Sequence, residues 1–257
     1  MELSTIVIIL FMVIVIVYLL LWIFSKKTQL TNMAPANVQQ TILASTIPVN
    51  RSNSNNYTYS TWFYINDWSS QYGVDKILLS RQDTESNVNP KITIGAMTNN
   101  ASVTVTCYQP SNGDATTSSD YMEGDDGTTA AVASDSSTST TFTCSVENIP
   151  LQKWVNMIVS LYGRTLDIYI DGKLVRTCIL PGVAKVATGD ILVTPAENGF
   201  DGWTTNIKYW THAVNPQTAY SIYKNGLGGS ILGNILNKFR IRVSFIKDNK
   251  EKTSFEI

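Results

Sequence analysis

The chain is poor in the residues that most chemistry needs. Its 257 residues include one histidine, His212, so histidine metal sites and catalytic triads have almost no material. Three cysteines, none in C-x-x-C spacing, exclude a dense disulfide framework and argue against structural zinc. Only 15% of residues are charged and the net charge is −1, which provides no footprint for nucleic acid. Between Lys91 and Lys153 there is no lysine or arginine at all. Ser, Thr and Asn are abundant, a bias that suits strands and turns better than helices.

What is present begins with grease. Ile6 to Phe24 is 19 residues without a charge or a helix breaker, and 16 of them are Leu, Ile, Val or Phe. As a helix the run would span roughly 28 Å, close to the hydrocarbon core of a bilayer. Tyr18 and Trp22 sit near one end, where amphipathic rings prefer the interface. A cleaved signal peptide would want a basic start and a shorter run; here the start carries Glu2 and no Lys or Arg. The expectation is one retained N-terminal transmembrane helix within residues 1–27. Lys26 and Lys27 follow the span and place the C-terminal side in the cytoplasm by the positive-inside rule. The N-glycosylation triplets starting at Asn56 and Asn100 point the other way.

Residues 28–50 are polar, contain Pro35 and Pro48, and read as a linker with one strand at 41–45. From Tyr57 onward short strands dominate. In YTYSTWFYI, Tyr57, Tyr59, Thr61, Phe63 and Ile65 share one face, and Thr58, Ser60, Trp62 and Tyr64 the other. Residues 109–140 form a Ser/Thr/Gly-rich insertion. Seven acids lie between Lys91 and Lys153, from Asp114 to Glu147, and their spacing fits no EF-hand. Calcium therefore has no motif behind it, and no cofactor is expected. Strands resume at TFTCSV and run to TTNIKYW. Asn215 caps a short helix, Pro216 starts it and Gly226 ends it. The tail, 228–257, reads as an amphipathic β-hairpin turning near Asp248-Asn249. Phe239, Ile241, Val243 and Phe245 alternate with Arg240, Arg242 and Ser244, a ribbon suited to docking on a partner.

The segment NIPLQKWVNMIVSLYGRTLDIYIDGKLVRTCIL, followed by a strand and FDGWTTNIKYWTHAVNPQTAYSIYKNG, resembles the laminin-G-like, concanavalin-A-like sandwich domains. The carrying residues are Trp154, the hairpin Tyr169-Ile170-Asp171-Gly172, Phe200-Asp201-Gly202 and the helix at 215–224. The resemblance covers about residues 51–227 and implies an all-β, antiparallel β-sandwich of jelly-roll type. It puts Leu166, Ile168 and Ile170 on one side of their strand, and Asp167, Tyr169 and Asp171 on the other.

A retaining glycosidase needs two carboxylates about 5–5.5 Å apart, which on a strand calls for acids at i, i+2 or i+4. No strand carries the E-x-D-x-x-E pattern; Glu147 and Glu197 stand alone at strand ends, and Asp167 and Asp171 flank a hairpin rather than a groove. The expectation is no enzyme. His212 reads as a turn residue. Cys107 and Cys144 are core-facing on strands that flank the insertion. A disulfide between them is one outcome; a cytoplasmic body favours thiols, and Cys178 stays free in both cases. Trp62, Trp68, Trp203 and Trp210 are candidates for stacking on sugars, against the alternative that they fill the core.

Two readings follow. In the first the chain is a membrane-anchored structural protein whose partners are the bilayer and other structural proteins. That layout resembles minor capsid proteins linking the internal membrane of large icosahedral DNA viruses to the shell. In the second it is a lectin-like, glycan-binding domain displayed on a cell or virion surface.

Overall fold

A computed structural model describes residues 11–19, 30–48, 55–109, 139–227, 242–247 and 250–256. Residues 11–19, inside the expected span, are helical and their apolar side chains are exposed. Among the described residues no helix is long and apolar enough to cross a membrane. Ile6, Trp22, Phe24, Lys26 and Lys27 lie outside them, as do Phe239, Arg240, Ile241 and nearly all of the acidic insertion.

The body is two antiparallel six-stranded sheets packed face to face. The first sheet has the order β1 (Ala34–Pro35), β12 (Asp201–Trp210), β3 (Tyr57–Asp67), β8 (Trp154–Tyr162), β9 (Thr165–Ile170), β10 (Lys173–Ile179). The second has β2 (Gln40–Ile42), β11 (Ile191–Val193), β4 (Lys76–Gln82), β5 (Val88–Ile94), β6 (Ala101–Tyr108), β7 (Ser139–Val146). The segment expected to be a linker thus contributes an edge strand to each sheet. The strand expected at 41–45 is present as the shorter β2, while β1, at two residues, is too short to show an alternation in the sequence.

Alternation built the layers. Tyr59, Phe63, Ile65, Leu166, Ile168 and Ile170 from the first sheet meet Leu79, Ile92, Ile94, Val103, Val105 and Ile191 from the second in one apolar core. The strand faces read from the sequence are therefore the observed ones. The hairpin between β9 and β10 turns on Asp171 and Gly172, both at positive φ (50° and 74°). Such a tight turn selects Asp-Gly. Past the sandwich, β13 (Arg242–Lys247) and β14 (Lys250–Glu256) pair antiparallel as a separate two-stranded ribbon, with Arg242 opposite Glu256. The hairpin expected there is present, with Arg242 and Phe245 on its first strand.

The structure corrects the cysteine expectation. Cys144 on β7 bonds to Cys178 on β10, and Cys107 is the free, buried thiol. Cys107 and Cys144 do lie on neighbouring strands, but Cys107 pairs with Thr140 and Cys144 with Val103, four rungs away. A Cα–Cα distance of 6.2 Å makes Cys144 and Cys178 a bridgeable pair across the two sheet edges. The Cys107 thiol is pushed up to about 11 by burial, which keeps it unreactive at neutral pH.

Both ends of the sandwich are tied to one place. The Leu30 amide donates to the Ile207 carbonyl (2.7 Å), and the Asn206 Nδ2 donates to the Gly226 carbonyl (3.0 Å). Asn206 and Ile207 lie at an irregularity of β12, where Asn206 has φ 53°.

Candidate functional site

The outer faces of the two sheets differ. On the first sheet a covering helix, Pro216–Lys224, lies across β8 and β9. Asn215 caps it by accepting the Thr218 amide at 2.8 Å, and Pro216 opens it, where a missing N–H costs nothing. Ala219 and Ile222, three apart, are buried against Ile158 and Tyr169, with Val214 and Trp210 alongside. Tyr223 stacks on Trp62 with ring centres 5.6 Å apart and planes 18° off parallel. Ser160 locks the entry to the helix: its Oγ accepts from the Val214 amide (3.0 Å) and lies 3.2 Å from Thr58 Oγ1. Tyr169, buried beneath the helix, has its hydroxyl pushed up to about 12, first by burial and then by Asp167.

Among the described residues no helix covers the second sheet. Its outer side chains are Lys91 and Thr93 on β5, Ser102 and Thr104 on β6, and Thr143 and Ser145 on β7. Thr104 meets Thr143 and Ser102 meets Ser145, each hydroxyl pair at 3.0 Å and each in direct cross-strand register. Asp75, Gly95, Thr98 and Asn100 join Lys91, Thr93, Ser102, Thr104 and Thr143 in lining an open recess of about 430 Å³. It offers hydroxyl donors and acceptors, one ammonium and one carboxylate. A two-carboxylate glycoside hydrolysis needs a second acid that this lining does not supply. Among the described residues no cluster of three or more His, Cys, Asp or Glu could hold a metal ion.

The remaining sequence candidates scatter. Trp62 is buried under the helix and Trp210 packs beside it. Trp68 packs on the core, with the Lys76 ammonium 4.6 Å from its ring. His212 is an exposed turn residue whose carbonyl accepts from Thr58 Oγ1 at 2.8 Å. Trp203 alone of the four is well exposed, at 44%. Its cross-strand neighbour is Tyr64, and Tyr64 faces Trp154. The hydroxyl recess was missed altogether, because Ser and Thr on the outward side of a strand look like ordinary solvated surface.

These faces can be set beside known proteins. No curated protein matches the chain by sequence. The receptor-binding domain of botulinum neurotoxin D superposes with a TM-score of 0.52 at 13% identity, over 77% of this chain and 45% of that one. The corresponding domain of the C/D mosaic serotype gives 0.52 and 13%, over 77% and 43%. The serotype D ligand-binding domain in complex with N-acetylneuraminic acid gives 0.52 and 12%, over 77% and 43%. The chain spans less than half the length of those domains, and the likeness is one of fold. Residues 92–219 match the family model of the concanavalin A-like lectin/glucanases superfamily, and the two sheets form an antiparallel sandwich consistent with that fold.

Proposed function

We propose that this chain is a non-enzymatic, membrane-tethered binding protein: residues 6–24 hold it in a bilayer, and the sandwich carries its recognition surfaces. One observation bears most of the weight. The outer face of the second sheet, free of a helix among the described residues, presents a hydroxyl-lined recess with one carboxylate, an arrangement for gripping a polar surface and not for cleaving a bond. In the finer form of this reading the partner is protein, and the molecule is a minor capsid component joining an internal viral membrane to its shell. The tail ribbon β13–β14 then adds a second point of attachment, and Lys26 and Lys27 put the body on the side where such a shell assembles.

A carbonate wash of membranes bearing the full chain tests the tether, and retention in the pellet is expected. Release into the supernatant would overturn it. The capsid setting predicts that detergent-stripped shells of purified virions keep the chain; its loss with the lipid would remove that reading.

A second reading, a glycan-binding domain facing outward, is favoured by the Cys144–Cys178 bridge. Such bonds persist in oxidising compartments and are rare in the cytosol. The lectin-type fold and the sialic-acid complex of a structural neighbour support it in class only. Protease treatment of sealed vesicles separates the two, since the capsid reading needs the body on the cytoplasmic side.

A further inference from the structure

Taking the glycan reading as its premise, we propose that the outer face of the first sheet carries a neutral-oligosaccharide site built on Trp203, Tyr64 and Trp154. The three aromatics occupy one rung of three adjacent strands: Trp203 on β12 pairs with Tyr64 on β3, and Tyr64 pairs with Trp154 on β8. The Tyr64 and Trp154 rings are 5.7 Å apart. Adjacent strands lie about 4.8 Å apart, so the row runs across roughly 10 Å of sheet. That is room for a short run of linked sugar rings, each laying its C–H face on an aromatic face.

The row is bordered by hydrogen-bonding groups on both flanks. Asn66 Nδ2 donates to Asp201 Oδ2 at 2.8 Å, and both residues are exposed two positions along from Tyr64 and Trp203. At the other end the Lys153 ammonium meets Asp171 Oδ2 at 3.2 Å, and the Asn156 amide holds Asp171 Oδ1 at 2.9 Å. Ring faces framed by carboxylate acceptors and amide and ammonium donors match a sugar, which is apolar on its faces and polar around its rim. Two carboxylates against one ammonium give the frame a net negative charge. An anionic glycan is disfavoured and a neutral one admitted.

The next rung adds an independent sign. There Thr205, Trp62 and Asn156 are register partners. The Trp62 Nε1 donor and the Asn156 Oδ1 acceptor are buried without a hydrogen-bond partner among the described residues. A buried donor and acceptor left open beside the aromatic row cost stability unless something fills them. A hydroxyl reaching past the rings is chemically suited to both.

The full chain, held in detergent micelles, is applied to an array of neutral and sialylated glycans, and hits are followed by titration with the free oligosaccharide. Neutral glycans are expected to bind. Trp203→Ala should weaken binding by about tenfold or more, and Asp201→Asn should weaken it less. Tyr108→Ala, which removes an exposed aromatic at the end of β6 on the opposite sheet, should leave it within about twofold. Trp203 is exposed, so its truncation leaves the fold intact; an unchanged thermal midpoint checks this. A silent array overturns both this site and the glycan reading. Glycan binding that survives Trp203→Ala, that is lost in Tyr108→Ala, or that is confined to sialylated sugars overturns the site and leaves the glycan reading standing. Capture of a proline-rich peptide by the same row, with no sugar bound, assigns the surface to protein and overturns it as well.

Discussion

The first and second sheets share a core and differ in what their backs carry. On the first, Trp62, Ile158 and Tyr169 point away from the core and still find an apolar partner, because the Asn215-capped helix folds over them. On the second, the equivalent outward positions are Thr and Ser, which need no cover and pair with each other across β6 and β7. The first sheet carries a helix over part of its outer face, and the row of Trp203, Tyr64 and Trp154 lies on that same sheet in register order beside the rung that holds Trp62.

That contrast can be broken by substitution. Trp62→Ala removes a buried indole beneath Tyr223, and a loss of about 3–5 kcal/mol is expected in denaturant unfolding. A loss below 1 kcal/mol would mean that the helix is an ornament. Cys178→Ser opens the tie between the sheet edges. Its loop of 34 residues predicts about 3–4 kcal/mol, read as a lower thermal midpoint that a reductant no longer shifts. Gly172→Val sits under the helix at φ 74°, where an added Cβ would lie 2.9 Å from Tyr223 Cβ. A cost of about 2 kcal/mol should follow, with Tyr223 displaced from Trp62. Thr104→Ala, on the open face, should change stability by no more than about 0.5 kcal/mol.

Alkaline pH sharpens the same comparison. Tyr169 has its folded pKa raised from 10.0 to about 12, mainly by burial under the helix. Its contribution is complete below the unfolded value of 10 and is lost as pH climbs toward 12, because the unfolded chain ionises first. Tyr57, Tyr59 and Tyr209, all raised by burial, act in the same sense. Unfolding midpoints should therefore fall between pH 9 and pH 12, and Tyr169→Phe should reduce the slope.

Patterns with a period of two were legible from the chain alone: the faces of β3 and β9, the Asp171-Gly172 turn and the Asn215 cap. They are local, and each rests on steric or hydrogen-bonding rules that act over a few residues. The Cys144–Cys178 pairing was hidden because it joins the edges of different sheets, and nothing in the spacing of three cysteines encodes sheet order. The strand β1 was hidden by its brevity, and β2 was expected but three residues too long at its C-terminal end. The aromatic row was half visible: alternation put Tyr64 on the outward face, but only register could set Trp203 and Trp154 on either side of it.

The tying of Leu30 and Gly226 to consecutive residues of β12 has a mechanical meaning. Were the front of the chain and its tail both held, as proposed above, a pull between them would cross the body through Asn206 and Ile207 of β12 for as long as those two hydrogen bonds last.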